Sequence, residues 1–161
     1  MGKALALLVV GLLPALASGA NTPPPKEWQP LIDAVISALK KQDAPALEKL
    51  LMSFVEASAA CPNTSPKSKA PAEELDKGRA ERIAMALKDC NIMDWKAAKF
   101  VSASGGEPAP SKCDNFKPAK IISVLYQEGD LTWTIGLEPV QLNGKRLLLT
   151  TPRCLASVTK K

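Results

Sequence analysis

The sequence predicts an α+β domain in which three helices precede an antiparallel sheet of about four strands, the whole stapled by disulfides. Three observations carry that prediction. Apolar residues recur at helical spacing through the first half of the chain, the period changes to alternation after Trp95, and four cysteines follow an N-terminal segment laid out like an export signal. The chain has 161 residues, a length that suits one domain.

Met1-Gly2-Lys3 places one positive charge before the apolar run Ala4 to Leu13, and the small-residue stretch Pro14 to Ala20 follows. Small side chains at the first and third positions before a cut suit signal peptidase, so Ala15-Leu16-Ala17 and Ser18-Gly19-Ala20 are both candidate sites, and residues 1–20 read as a signal peptide with cleavage after Ala20 favoured. A run of roughly 14 apolar residues falls short of the ~20 that span a bilayer. The expected location is therefore secreted or periplasmic, with no transmembrane segment in the mature chain.

Residues 21–26 hold three consecutive prolines and read as an extended leader, and residues 27–155 as the single α+β domain. Trp28, Leu31, Ile32, Val35 and Leu39 form the first helical stripe, with Asp33, Lys40 and Lys41 off it. Asp43 can cap a second helix that has Pro45 in its first turn and the stripe Leu47, Leu50, Leu51, Phe54 and Val55. From Cys61 to Ala72 the composition is that of a loop, and Asn63-Thr64-Ser65 within it matches a glycosylation sequon. Glu73 to Cys90 returns to helical spacing, with acidic residues in the opening turn and Cys90 at the end of the stripe.

Strands are expected at Lys96 to Ala103, Lys120 to Gln127 and Leu131 to Leu137, the last two joined by a turn at Glu128-Gly129-Asp130. Leu131, Trp133, Ile135 and Leu137 alternate with Thr132, Thr134 and Gly136, so one face of that strand is apolar. Asn143-Gly144 marks a hairpin turn, and Lys145 to Thr151 returns as the last strand of a meander. Residues 156–161 read as a C-terminal tail.

Cys61, Cys90, Cys113 and Cys154 contain no Cys-x-x-Cys spacing, so structural disulfides are expected and a zinc or redox motif is not. Four cysteines allow three pairings. Nearest-neighbour bridges, Cys61 to Cys90 and Cys113 to Cys154, would match a helical half and a strand half.

The residues Asp94 to Lys99, Val101 to Glu107, Gly136 to Arg146 and Pro152-Arg153-Cys154 resemble small exported bacterial proteins of the nuclear-transport-factor-2-like, or cystatin-like, α+β type. The resemblance implies helices wrapped on a strongly curved sheet around a conical cavity, used for small apolar ligands, for catalysis or for dimerisation. The pockets of the enzymes of that type carry Asp, His or Tyr, and this chain has no His and a single Tyr126.

Absence of histidine excludes Ser-His-Asp, Cys-His and His-metal sites. Ser37-Ala38-Leu39-Lys40 and Ser157-Val158-Thr159-Lys160 fit Ser-x-x-Lys spacing but lack the companion motifs of penicillin-binding enzymes. Asp94 reads as a turn residue, and no Asp-rich calcium loop occurs. The formal net charge of +5 comes from 21 basic and 16 acidic residues that alternate along the chain, which argues against nucleic-acid binding. Trp95, Tyr126 and Trp133 are the candidate lining of a ligand pocket. The expected function is an exported binding or interaction module without cofactor, metal or catalytic residues. Its partner would be a small apolar ligand or an envelope protein, and a homodimer stays open. The competing readings are a pocket enzyme acting on a hydrophobic metabolite through Asp94 or Tyr126, and a structural partner of an envelope assembly.

Overall fold

The computed structural model describes residues 22–62 and 71–158. The expected signal peptide and the Asn63-Thr64-Ser65 sequon lie outside the described residues. A 3-10 turn (Lys26–Trp28) leads into α1 (Gln29–Lys41), followed by α2 (Ala44–Leu50), α3 (Phe54–Ala60), α4 (Ala72–Lys77) and α5 (Arg79–Cys90). The strands are β1 (Lys99–Gly105), β2 (Phe116–Pro118), β3 (Ile122–Glu128), β4 (Leu131–Leu137), β5 (Pro139–Leu142), β6 (Lys145–Leu148) and β7 (Arg153–Val158).

The α+β class holds, with five α-helices among the described residues where the periodicity predicts three. α1 forms as expected: Pro30 sits in its first turn, Lys40 and Lys41 in its last, and Leu31, Ile32, Val35 and Leu39 are buried. Asp43 caps α2 by accepting from Ala46 N (2.9 Å). The predicted second helix then breaks, because Leu51 is extended (φ −89°, ψ 137°) and Met52 N donates to Leu148 O (2.9 Å). A backbone bond to β6 outcompetes helix continuation there. Ser53 restarts the helix by accepting from Glu56 N, a Ser-x-x-Glu spacing typical of helix N-termini. The third predicted helix divides at Gly78 into α4 and α5.

Asp76 holds the new helix start in place. Its carboxylate accepts from Ser53 Oγ (2.9 Å), Phe54 N (3.0 Å), Val55 N (3.2 Å) and Arg79 Nη2 (2.6 Å). Burial by itself pushes this carboxyl up, but the donors of Phe54, Arg79, Ser53 and Val55 together outweigh it and hold the group below the usual aspartate value.

The strands form two antiparallel sheets instead of one meander. The larger has the order β1-β3-β4-β7 and the smaller β2-β5-β6. Asn143-Gly144 does turn β5 into β6, with positive φ at both residues (49° and 79°). That hairpin pairs with β2, which lies between the first two expected strands, and the chain returns to β4 only with β7. The predicted tail is thus in part a strand, since Ala156, Ser157 and Val158 pair with Trp133, Thr132 and Leu131.

The disulfides are Cys61–Cys113 and Cys90–Cys154, with Cα separations of 5.6 and 5.1 Å. Nearest-neighbour pairing fails because each sheet has its own helical partner. Met52 and Ala57 pack with Val140 and Leu142 in a small core that joins the α3 region to the small sheet. Cys61, which ends α3, bridges to Cys113 at the edge of that sheet. The main core gathers Leu31, Val35 and Leu39 with Val124, Tyr126, Trp133, Ile135 and Leu137, and Cys90 at the end of α5 meets Cys154 of β7 on its border.

Peptide mapping without reduction will yield Cys61–Cys113 and Cys90–Cys154 as the linked pairs, and the double substitution Cys90→Ser, Cys154→Ser will lower urea stability by about 3–4 kcal/mol, as expected for a closed loop of this length. Asp76→Asn will cost about 1–3 kcal/mol at neutral pH through lost charge-assisted bonds. The contribution of Asp76 is present above the unfolded aspartate value near ~4 and disappears as pH falls through the lower folded value, so the two proteins will converge in stability in acid.

Candidate functional site

α1 packs against β3 and β4, and among the described residues it leaves β1 uncovered at the sheet edge, where a groove opens between helix and strand. Its volume is about 550 Å³, within the size range of small-ligand sites. Gln29, Ile32, Asp33, Ile36, Ser37, Lys40 and Lys41 of α1 form one wall. Phe100 and Ala103 of β1 with Val124 and Tyr126 of β3 form the other. These four share a side because Phe100 pairs with Tyr126 and Ala103 with Val124. The register shifts between Phe100 and Ser102, a bulge that gives β1 an extra residue at Val101.

Tyr126 is the centre of an aromatic cluster. The ring of Trp95 meets it edge-on at 5.5 Å and that of Phe100 at 5.9 Å, both at 78°. Lys40 Nζ lies 5.5 Å from the Trp95 centroid and 5.8 Å from that of Tyr126, which sets a cation against two ring faces at one end of the groove. Asp33 lies toward the other end and accepts from Gln29 Nε2 (2.8 Å). Burial, and then the negative charge of Asp33, push the Tyr126 hydroxyl above its ordinary value. It is a neutral hydrogen-bond donor at physiological pH.

Of the three aromatic residues expected to line a pocket, Tyr126 alone is among the groove-lining residues. Trp95 supports its ring from behind, and the Trp95 Nε1 atom is buried without a hydrogen-bond acceptor among the described residues. Trp133 pairs with Tyr126, but it is buried in the main core and donates from Nε1 to Glu128 Oε2 (2.7 Å). Asp94 is exposed and serves the turn, accepting from Lys96 N (2.9 Å) and Ala97 N (3.4 Å).

Ser37 and Lys40 do share the groove wall. Ser157 sits on the opposite face of the sheet, paired with Thr132. All four cysteines are consumed in disulfides, and no group of three acidic or cysteine side chains could hold a metal ion among the described residues. The residues that periodicity missed are Ile36 and Phe100. Ile36 lies one position beyond Val35 of the core stripe, so it faces the helix flank, and Phe100 is 60% exposed on an edge strand, where an aromatic side chain is out of place without a partner.

Fold and site together define a disulfide-stapled α+β domain with an open, amphipathic groove at one sheet edge. No family model, curated protein or solved structure matches this chain. Two disulfides are consistent with folding in an oxidising environment, and no helix among the described residues is long and apolar enough to cross a membrane.

Tyr126 is the single tyrosine of the chain, so absorbance near 295 nm will report its ionisation alone. Its midpoint will lie above the usual tyrosine value of about 10, and Asp33→Asn will move it down. Because the folded protein holds this proton longer than the unfolded chain, stability will fall as pH rises past the unfolded value.

Proposed function

We propose that the protein is an exported binding module whose α1–β1 groove takes a ligand with an apolar body and an anionic end. The observation that supports this reading most is the division of the groove. Ile32, Ile36, Phe100 and Val124 supply apolar wall, while the cations Lys40 and Lys41 stand at the end where Lys40 covers Trp95 and Tyr126. An exposed phenylalanine beside an open cavity is a surface that a ligand desolvates.

Export is supported by the signal-like N-terminus and by the two bridges. The layering of helices on an antiparallel sheet supports the cystatin-like resemblance at the level of architecture. A catalytic reading is less well supported: Tyr126 is held neutral and Asp94 is committed to its turn.

Fluorescence of anilinonaphthalene sulfonate, an apolar dye with one negative charge, will rise on binding and fall again when decanoate displaces it. Ile36→Glu will weaken dye binding at least tenfold, and Lys40→Glu about fivefold. Leu155→Glu, on the outer face of β7, will leave it unchanged. Equal binding by the Ile36 and Leu155 variants would remove the groove as the site.

A further inference from the structure

The geometry points to an extended peptide as the partner: one that adds as a strand along the free side of β1, antiparallel to it, with its C-terminal carboxylate at Lys40 and Lys41. This inference rests on the groove reading and narrows its ligand to one class.

Among the described residues β1 is an edge of the larger sheet, and one backbone bond already reaches it from outside the sheet. Gly105 N donates to Thr22 O (3.0 Å), a backbone bond made from the side of β1 turned away from β3. Backbone N–H groups on one side of a strand recur every second residue, so Ala103 presents its N–H to the same side as Gly105. The bulge at Val101 lies beyond this stretch, and Ser102 to Gly105 runs in regular register. Ala103 is also a groove residue, so a strand added there would carry alternate side chains between α1 and β1. Strand addition of this kind takes affinity from main-chain bonds and specificity from the pockets beneath them.

Direction follows from the two ends of α1. At its start Trp28 Nε1 donates to Gly106 O (3.0 Å), just past the end of β1. At its finish Lys40 lies over Tyr126, which is paired with Phe100 near the start of β1. Helix and strand are therefore antiparallel. A peptide antiparallel to β1 enters near Thr22 and ends beside Lys40 and Lys41, where a free carboxylate meets two cations.

Charge spacing then sets a side-chain preference. Asp33 precedes Lys40 by seven residues, about 10 Å along a helix at 1.5 Å per residue. Three residues of extended peptide span about the same distance at 3.3 Å each. A peptide whose carboxylate sits at Lys40 thus brings the residue three positions before its last one opposite Asp33, and a basic side chain there is favoured.

The test uses the full chain against a random heptapeptide library with free C-termini. The expected result is enrichment of peptides with an apolar next-to-last residue and a lysine or arginine two positions before it, which sets both side chains on the groove side of the added strand. Resynthesised binders will lose at least tenfold in affinity when amidated, and a similar amount against Lys40→Glu, Lys41→Glu. The Ala103 amide of the unsubstituted protein will gain protection from hydrogen exchange when peptide is bound, a readout that needs no variant.

Dye binding without peptide enrichment, equal affinity for acid and amide, or an Ala103 amide unchanged by peptide would each overturn the inference and leave the groove standing. A chain that protects Ala103 by dimerising, seen as a concentration-dependent mass without peptide, would overturn it too. Loss of both dye and peptide binding would bring down the groove reading itself.

Discussion

Burial of the α1 stripe against the inner face of β3 and β4 is the constraint on which the rest of the molecule depends. Leu31, Val35 and Leu39 meet Val124, Tyr126, Trp133, Ile135 and Leu137 in one continuous core. Each such side chain withdrawn from water contributes roughly 1.5–3 kcal/mol, so the helix is placed over the two central strands, where the most apolar surface lies. A single helix about 10 Å wide cannot also cover the sheet edge. The groove beside β1 is what remains of that face once its centre has been covered.

The small sheet answers a different need. The α3 region carries Met52, Phe54, Ala57 and Ala60, which have no room in the main core, and β2, β5 and β6 provide a second apolar surface for them. The break in the predicted second helix belongs to this arrangement, since Leu51 and Met52 must be extended to reach Leu148. Asp76 then collects the N–H groups that a helix start leaves without partners. One carboxylate on α4 thereby orients α3 relative to the rest of the helical layer.

Much of the fold was legible because local pattern and tertiary packing agree in it. The α1 stripe, the Asp43 cap, the β3–β4 hairpin and the Asn143-Gly144 turn all follow from residue type and spacing. The two-sheet division was not, because β2 is three residues long and its Phe116-Lys117-Pro118 shows no alternation. The disulfide pairing was hidden for the same reason: it depends on which helix faces which sheet. At the site, Tyr126 lines the groove, Trp95 packs edge-on against it and Trp133 lies in the main core, and residue size by itself does not tell which of three neighbouring aromatic rings lies deeper. Phe100 and Ile36 gain their roles from the edge that α1 leaves open, a fact of packing that no single stretch of sequence contains. Ser53 and Glu56 did carry a readable helix-start signal inside what looked like one uninterrupted stripe.

The Cys90–Cys154 bridge has a consequence for how the last strand finds its place. Side chains alternate along β7, so Cys154 faces the helices only when it stands opposite Ile135. A slip of one residue turns its sulfur to the outer face of the sheet, beyond reach of Cys90, and leaves two thiols open to exchange. Closure of this bond is therefore a check on alignment. A chain that has paired its final strand correctly seals itself, and one that has not stays chemically marked and free to try again.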